Sequence, residues 1–242
     1  MADLLFWNVQ RLGAGTPVEF STGVVRVANA QQADFEAYCE LTQACVVMTP
    51  HNINYRKSNK AQICYGARQY ANVALPLPQP IIAPIPTQLP VTRIAPDPAP
   101  TAWYTAANYT GGNNFRLLCN RAPADLGVID GMQVYVLHAP ANANKAERCV
   151  AYLACHLQNI HGANPWLLIG DLNVEPAQLA ASPVTIPNGL GHYIVRTGQR
   201  THQRNRELDY ALTNDPGNVH VRRVRANYRF VFSDHFAICA SW

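Results

Sequence analysis

The chain has 242 residues, of which 48% are hydrophobic and 14% charged, and carries a formal net charge of +4 at pH 7. That length and apolar fraction support a sizeable core in one domain spanning 1–242, and exclude a disordered or fibrous protein. No run approaches the ~20 uninterrupted apolar residues of a membrane helix, because Pro, Asn, Gln or a charge breaks each one, so a soluble protein without membrane insertion is expected.

The charge is unevenly placed. Between Arg196 and Arg229 eight arginines (Arg196, Arg200, Arg204, Arg206, Arg222, Arg223, Arg225, Arg229) stand against three acids (Glu207, Asp209, Asp215), a local +5 that leaves −1 for the rest. Such a stretch is usually a solvated face, yet its position between two polar motifs suits an anionic partner such as a phosphate backbone. The start, MADLLFWNVQ, has no basic leader, no apolar segment of leader length and no small-residue cleavage site. The chain is therefore expected to be cytoplasmic when made or to have lost a leader. Seven cysteines, without a CxxC pair or a zinc-type spacing, read mainly as buried free thiols, with one disulfide left open for an exported protein.

Residues 4–9 (LLFWNV) read as a buried strand, and 21–33 as a short amphipathic helix with a Ser/Thr start. Residues 35–41, 44–49 and 61–70 read as strands. Nine prolines between 75 and 100 predict an extended surface segment with polyproline character, because proline cannot donate to a ladder. A strand follows at 132–139, a strong helix at 145–160, and strands at 166–170, 208–213 and 230–240. Strands along the whole length with helices between some of them fit a four-layered α/β sandwich, two facing mixed sheets flanked by helices. Polar residues at strand ends then gather at one edge.

Those residues are Asn8, Glu40, His138, Asp171, Asn173, Asp209, Asp234 and His235, each within or at the end of an apolar run. Singly, each has a plain explanation: Asn8 turning the chain, Glu40 ending an edge strand, Asp171 making an Asx turn after Gly170. Together they supply what phosphodiester hydrolysis needs: carboxylates for a divalent metal, groups that act on water and the leaving oxygen, and nearby cations.

In order, the motifs FWNVQ (6–10), CELT (39–42), VYVLHAP (134–140), GDLNVEP (170–176), ELDYAL (207–212) and SDHFAI (233–238) resemble the endonuclease/exonuclease/phosphatase superfamily, whose fold is that of the pancreatic-type deoxyribonucleases. The resemblance spans almost the whole chain. Within that superfamily, WNVQ, NRAPADLGVIDGMQVYVLHAPAN and THQRNRELDYAL look most like the catalytic B subunit of cytolethal distending toxins. The resemblance implies a Mg²⁺-dependent DNA endonuclease of toxin type, Mn²⁺ being an alternative metal, with delivery or binding subunits as partners beside DNA. It also implies an exported effector acting inside a target cell.

Carried over residue by residue, Glu40 and Asp234 lie at the metal, with Asn8 beside them. His235 acts on water or the attacked phosphate, and Asp209 holds its tautomer. Asp171 and Asn173 handle the nucleophile and the phosphate oxygens, and His138 protonates the leaving oxygen. Arg121 contacts phosphate, with Arg116 as a second, while Thr201 and His202 line the substrate edge. One departure stands out: where the deoxyribonucleases have a glutamate that orients the first histidine, this chain offers Ala61 and Gln62. His51, His156, His161 and His220 read as loop or helix-face residues, His192 as a loop residue, and Trp7 and Trp166 as core. The competing readings are a phosphoinositide phosphatase of the same superfamily and a non-catalytic binding module that has kept the fold.

Overall fold

In a computed structural model of the chain, the apolar runs from the two ends of the sequence become neighbours in one sheet. The structure describes residues 1–9, 31, 33–40, 56–58, 63–67, 69–70, 73–74, 123–183, 186–225 and 233–242. The strands are β1 (Asp3–Asn8), β2 (Phe35–Cys39), β3 (Arg56–Ser58), β4 (Ile63–Ala67), β5 (Gln69–Tyr70), β6 (Val73–Ala74), β7 (Ala124–Ile129), β8 (Met132–His138), β9 (Trp166–Asp171), β10 (Ile194–Val195), β11 (Asp209–Thr213), β12 (His220–Arg223) and β13 (Ile238–Ser241). The helices are α1 (Ala143–His161) and α2 (Pro176–Ala180), with a 3₁₀ turn at Leu190–Tyr193.

Six strands pair in the order β12-β13-β1-β2-β4-β3, five in the order β10-β11-β9-β8-β7, and β5 with β6. Both large sheets are mixed, with β1 parallel to β2 and β8 parallel to β9 among antiparallel neighbours. Strand alternation sorts the side chains. Val134, Val136, Leu167, Ile169 and Ala211 of the five-stranded sheet pack against Leu4, Phe6, Ala37, Cys39 and Ile63 of the six-stranded one. The opposite face, with Tyr135, Leu137, Trp166, Leu168, Tyr210 and Leu212, packs on α1 and α2. The chain thus forms an α/β sandwich: two facing mixed sheets with helices covering the outer face of one.

Helix α1 is set by its ends and its apolar face. The Asn142 side chain caps the Lys145 N–H at 3.1 Å, and Gly162, at φ 58°, closes the far end by donating to the Gln158 carbonyl. Val150, Leu153 and Leu157 are fully buried or nearly so, each contributing about 1.5–3 kcal/mol. Leu153→Ala would cost about 2–5 kcal/mol.

Three strands show how the structure differs from the sequence expectation. Strand β7 was not foreseen: a bulge between Asp125 and Gly127 (φ 85°) breaks its alternation, although the Asp130-Gly131 turn joining it to β8 is a hairpin signal. Arginine-rich β12 also forms, and it puts His220 at an exposed strand start rather than on a loop or helix face. Of the expected strand over 230–240 the structure describes 233–240, and there the strand begins only at β13, because Ser233 Oγ donates to the Asn8 carbonyl and accepts from His235 N, bending the chain. The strand at 44–49, the proline-rich segment 75–100, Ala61, Gln62, His51 and nearly all of the helix at 21–33 lie outside the described residues. Cys39, Cys155 and Cys239 are buried free thiols as expected, whereas Cys149 is in a disulfide. No described helix is long and apolar enough to cross a membrane.

Candidate active site

The alternation that builds the inter-sheet core also builds the site. Continuing the inward series Leu4, Phe6 along β1 gives Asn8; Val134, Val136 along β8 give His138; Leu167, Ile169 along β9 give Asp171; and Ala211, read backwards along β11, gives Asp209. Register brings three of the four together, because Asp171 is the direct partner of both His138 and Asp209. All four are buried, from 0 to 3% exposed. The core therefore ends at one edge in a polar cluster.

Asp171 is its centre. Its Oδ2 accepts from Asn8 Nδ2 at 2.8 Å and Asn173 Nδ2 at 3.1 Å, and its Oδ1 from Asn173 N at 3.2 Å. The same oxygen Oδ2 lies 3.5 Å from His138 Nε2 and 3.8 Å from His235 Nε2. Burial, then the Asp209 charge, raise this carboxyl from 3.8 to about 7. Gly170 precedes it because a Cβ there would run into the Leu137 carbonyl oxygen. Asn173, at φ 52°, takes a left-handed turn common for Asn, and its amide also donates to the Ala139 carbonyl.

His235 hangs between carboxylates. Its Nδ1 lies 2.9 and 3.1 Å from the two Asp209 oxygens, while Nε2 faces Asp234 Oδ1 at 3.5 Å. Burial alone would lower its pKa, but Asp209, helped by Asp171 and Asp234, outweighs burial and raises it to about 10. The frame around this pair comes from residues with no catalytic signature. Thr201 Oγ1 accepts from both Leu208 N and Asp209 N, fixing the start of β11. Trp7 is fully buried as expected, and its Nε1 also donates to the His235 carbonyl. Both residues lie inside motifs, Trp7 in FWNVQ and Thr201 in THQRNRELDYAL, but no sequence signal marks these framing roles.

Glu40 leaves β2 at φ 59°, a costly conformation for a glutamate of about 1–3 kcal/mol. Its Oε1 lies 3.7 Å from His138 Nε2. His202 is placed beside Asp234, with Nε2 2.9 Å from Asp234 Oδ2 and Nδ1 accepting from Arg204 N at 3.0 Å. Its ring meets the His235 ring edge-on at 4.8 Å. Burial holds His202 below its usual pKa against the pull of Asp234. Arg116 and Arg121 lie outside the described residues.

Two groups bring three ligand atoms within 4.8 Å of one another: Asp171/Asp209/His235 and His202/Asp234/His235. In the first, both Asp209 oxygens are engaged by His235 Nδ1, which makes it a hydrogen-bonded relay. In the second, His202 turns Nε2 toward a carboxylate it can donate to. The remaining donor chemistry, carboxylates at Glu40 and Asp234 with the Asn8 amide, is hard oxygen and fits Mg²⁺ or Mn²⁺ rather than zinc. Of the eight arginines between 196 and 229, Arg196 pairs with Glu207, Arg206 with Glu175, and Arg223 stacks on Phe236 while donating to the Arg200 carbonyl. Among the described residues no ion pair engages the exposed Arg200, Arg204, Arg222 or Arg225.

No protein-family model matches the sequence, and no curated protein does. Solved structures do match along the whole chain. The biologically active subunit of cytolethal distending toxin, CdtB, shares 16% identity over 99% of this chain and 97% of that one, with a TM-score of 0.54. The cytolethal distending toxin from Actinobacillus actinomycetemcomitans shares 13% over 98% and 97%, with a TM-score of 0.58. Truncated Caenorhabditis elegans TDP2 shares 13% over 99% and 96%, with a TM-score of 0.60. At these identities the likeness is one of fold, and the fold is the deoxyribonuclease-like sandwich of the endonuclease/exonuclease/phosphatase type.

Proposed function

We propose that the protein is a divalent-metal-dependent phosphodiesterase that nicks double-stranded DNA with little sequence preference. The observation that carries this reading is the Asp171 carboxylate, met by side chains from four separate segments, Asn8, His138, Asn173 and His235, with Asp209 opposite. Glu40 and Asp234, beside Asn8, would hold Mg²⁺ or Mn²⁺, which supplies Lewis-acid stabilisation of the phosphate when bound.

The chain's own groups divide the remaining work. With its pKa near 7, Asp171 is placed to accept the proton of the attacking water as the new P–O bond forms. Asn173 orients that carboxylate and the phosphate oxygens. His235, kept cationic by Asp209, offers Nε2–H to the charge that develops on phosphorus oxygens. His138 hands a proton to the leaving oxygen as the old P–O bond breaks.

DNA is favoured by the four arginines without carboxylate partners near the His202 turn and β12, which can track a phosphate backbone, while nothing among the described residues resembles a base-reading helix. The whole-length likeness in fold to toxin subunits supports an exported effector with delivery partners. The test is purified protein on supercoiled plasmid with Mg²⁺, run beside phosphate release from phosphoinositide vesicles. Nicked plasmid is the expected product; phosphate release without nicking moves the assignment to a lipid phosphatase, and silence in both makes the fold a binding module.

A further inference from the structure

Every hydrogen-bonding position of the His202 ring is occupied by the protein itself. The backbone N–H of Arg204 can only donate, so Nδ1, 3.0 Å away, is the acceptor and a neutral ring carries its proton on Nε2. That proton points at Asp234 Oδ2, 2.9 Å away. A metal ligand would need a lone pair on Nε2, which would force the ring proton onto Nδ1 against the Arg204 N–H. A substrate contact would need a ring nitrogen that the turn does not leave.

The backbone makes the same grip. Residues 201–206 close into a tight turn, with Thr201 N and His202 N donating to the Arg206 carbonyl and Asn205, at φ 63°, donating to the His202 carbonyl. This turn is stitched to the segment that carries the acid: Gln203 N donates to the Asp234 carbonyl at 2.7 Å, Gln203 Nε2 to the Ser233 carbonyl, and Phe236 N to the Thr201 carbonyl. Asp234 is therefore held at its main chain and its side chain by one turn. Its other oxygen, Oδ1, lies 3.5 Å from His235 Nε2.

We propose that His202 is a positioning residue, whose Nε2–H fixes the Asp234 carboxylate so that Oδ1 faces His235 and the divalent cation. The inference rests on the metal-dependent reading above and adds to it a partner of the ligand, the kind of contact whose loss costs about 10–100-fold in metal affinity or activity.

Two variants separate this role from a purely local one. His202→Gln puts an amide N–H where Nε2–H was and loses the acceptor for Arg204 N; His202→Asn keeps that acceptor and loses the donor to Asp234. Mn²⁺ affinity, measured by calorimetry without substrate, is expected to fall about 10–100-fold in His202→Asn and to stay within about threefold in His202→Gln. Turnover is expected to follow the same order, with KM for DNA unchanged. Equal affinities in the two variants, or the reverse order, overturn the proposal. In wild-type, metal-free protein the imidazole nitrogen-15 spectrum is expected to show the Nε2–H tautomer at His202; an Nδ1–H tautomer overturns it without any variant. Wild-type protein that binds Mn²⁺ but leaves plasmid intact removes the DNA reading alone, whereas no Mn²⁺ binding removes the metal reading and this role with it.

Discussion

Asp171 and Asp209 are direct partners across the β9–β11 ladder, both essentially inaccessible to water. Two carboxylates placed opposite each other inside a core oppose folding unless a cation joins them. His235 is that cation, with Nδ1 2.9 Å from Asp209 and Nε2 3.8 Å from Asp171. Because the folded pKa of Asp171 lies near 7, above its ordinary 3.8, the folded state holds more protons between those values and stability falls as pH rises through that window. Asp171→Asn keeps the shape and removes the charge. It is expected to abolish cleavage yet raise Tm at pH 8 by about 3 °C or more, the shift that ~1 kcal/mol produces in a domain of this size. At pH 4 the two proteins should melt together. A variant that melts lower than wild type at pH 8 would make Asp171 a structural acid.

Chelation should stop cleavage completely, since the donors at Glu40 and Asp234 are hard oxygens. Glu40→Gln should keep the fold, because the amide has the shape of the carboxylate and removes only its charge. The Mg²⁺ concentration for half-maximal rate is expected to rise about 10–100-fold. A loss of cooperative melting in that variant would mark Glu40 as structural.

Arg200, Arg204, Arg222 and Arg225 are exposed, which leaves them available to phosphates. DNA affinity is expected to fall steeply between roughly 50 and 200 mM salt, and each Arg→Ala change at these four positions should reduce the log–log slope by about 1. The paired Arg196 and Arg206 should change it less. An unchanged slope in the quadruple variant would reduce the stretch to a solvated face.

Part of the site could be read from sequence because four of its polar residues stand at the ends of apolar strand-like runs. Asn8, His138, Asp171 and Asp209 could be placed on strand ends from β1, β8, β9 and β11 alone. What could not be read was pairing: Asn8 and Asp171 are 163 positions apart yet share a hydrogen bond, and nothing local sets that register. The turn chemistry of Ser233 hid the true start of β13, and the Gly127 bulge hid β7. The motif neighbours of His202 point to the substrate edge and say nothing of its ring's partners. Its i to i+2 contact with Arg204 N, a backbone effect without a sequence period, sets its ring beside Asp234.

On α1, His156 and His161 are buried far in sequence from any motif. Burial, then the His161 charge, lower His156 to about 4, and burial lowers His161. A histidine whose folded pKa lies below its unfolded 6.5 stabilises the fold fully above 6.5 and loses that contribution as pH falls toward the folded value. For His156 this amounts to about 3 kcal/mol. The urea midpoint is expected to drop between pH 7 and 5, and His156→Leu should flatten that drop. An unchanged pH slope in His156→Leu would place the acid sensitivity elsewhere.

The catalytic assignment depends most on His235, and a buried histidine in a hydrogen-bonded frame is also what a core needs. The frame itself offers the separation. His235 N is held by Ser233 Oγ and its carbonyl by Trp7 Nε1, so the backbone position survives loss of the ring. His235→Gln should therefore remain folded and bind DNA, while turnover falls by about 10²–10⁴-fold. His138→Gln is expected to cost a similar factor, since both rings face one Asp171 oxygen. If the two act on a single phosphate through that shared carboxylate, the double variant should lose far less than the product of the single losses. Independent, multiplicative losses would show that the rings serve separate steps. A folded His235→Gln protein with near-normal turnover would remove His235 from the chemistry, leaving Asp209 as a partner that merely neutralises a core histidine.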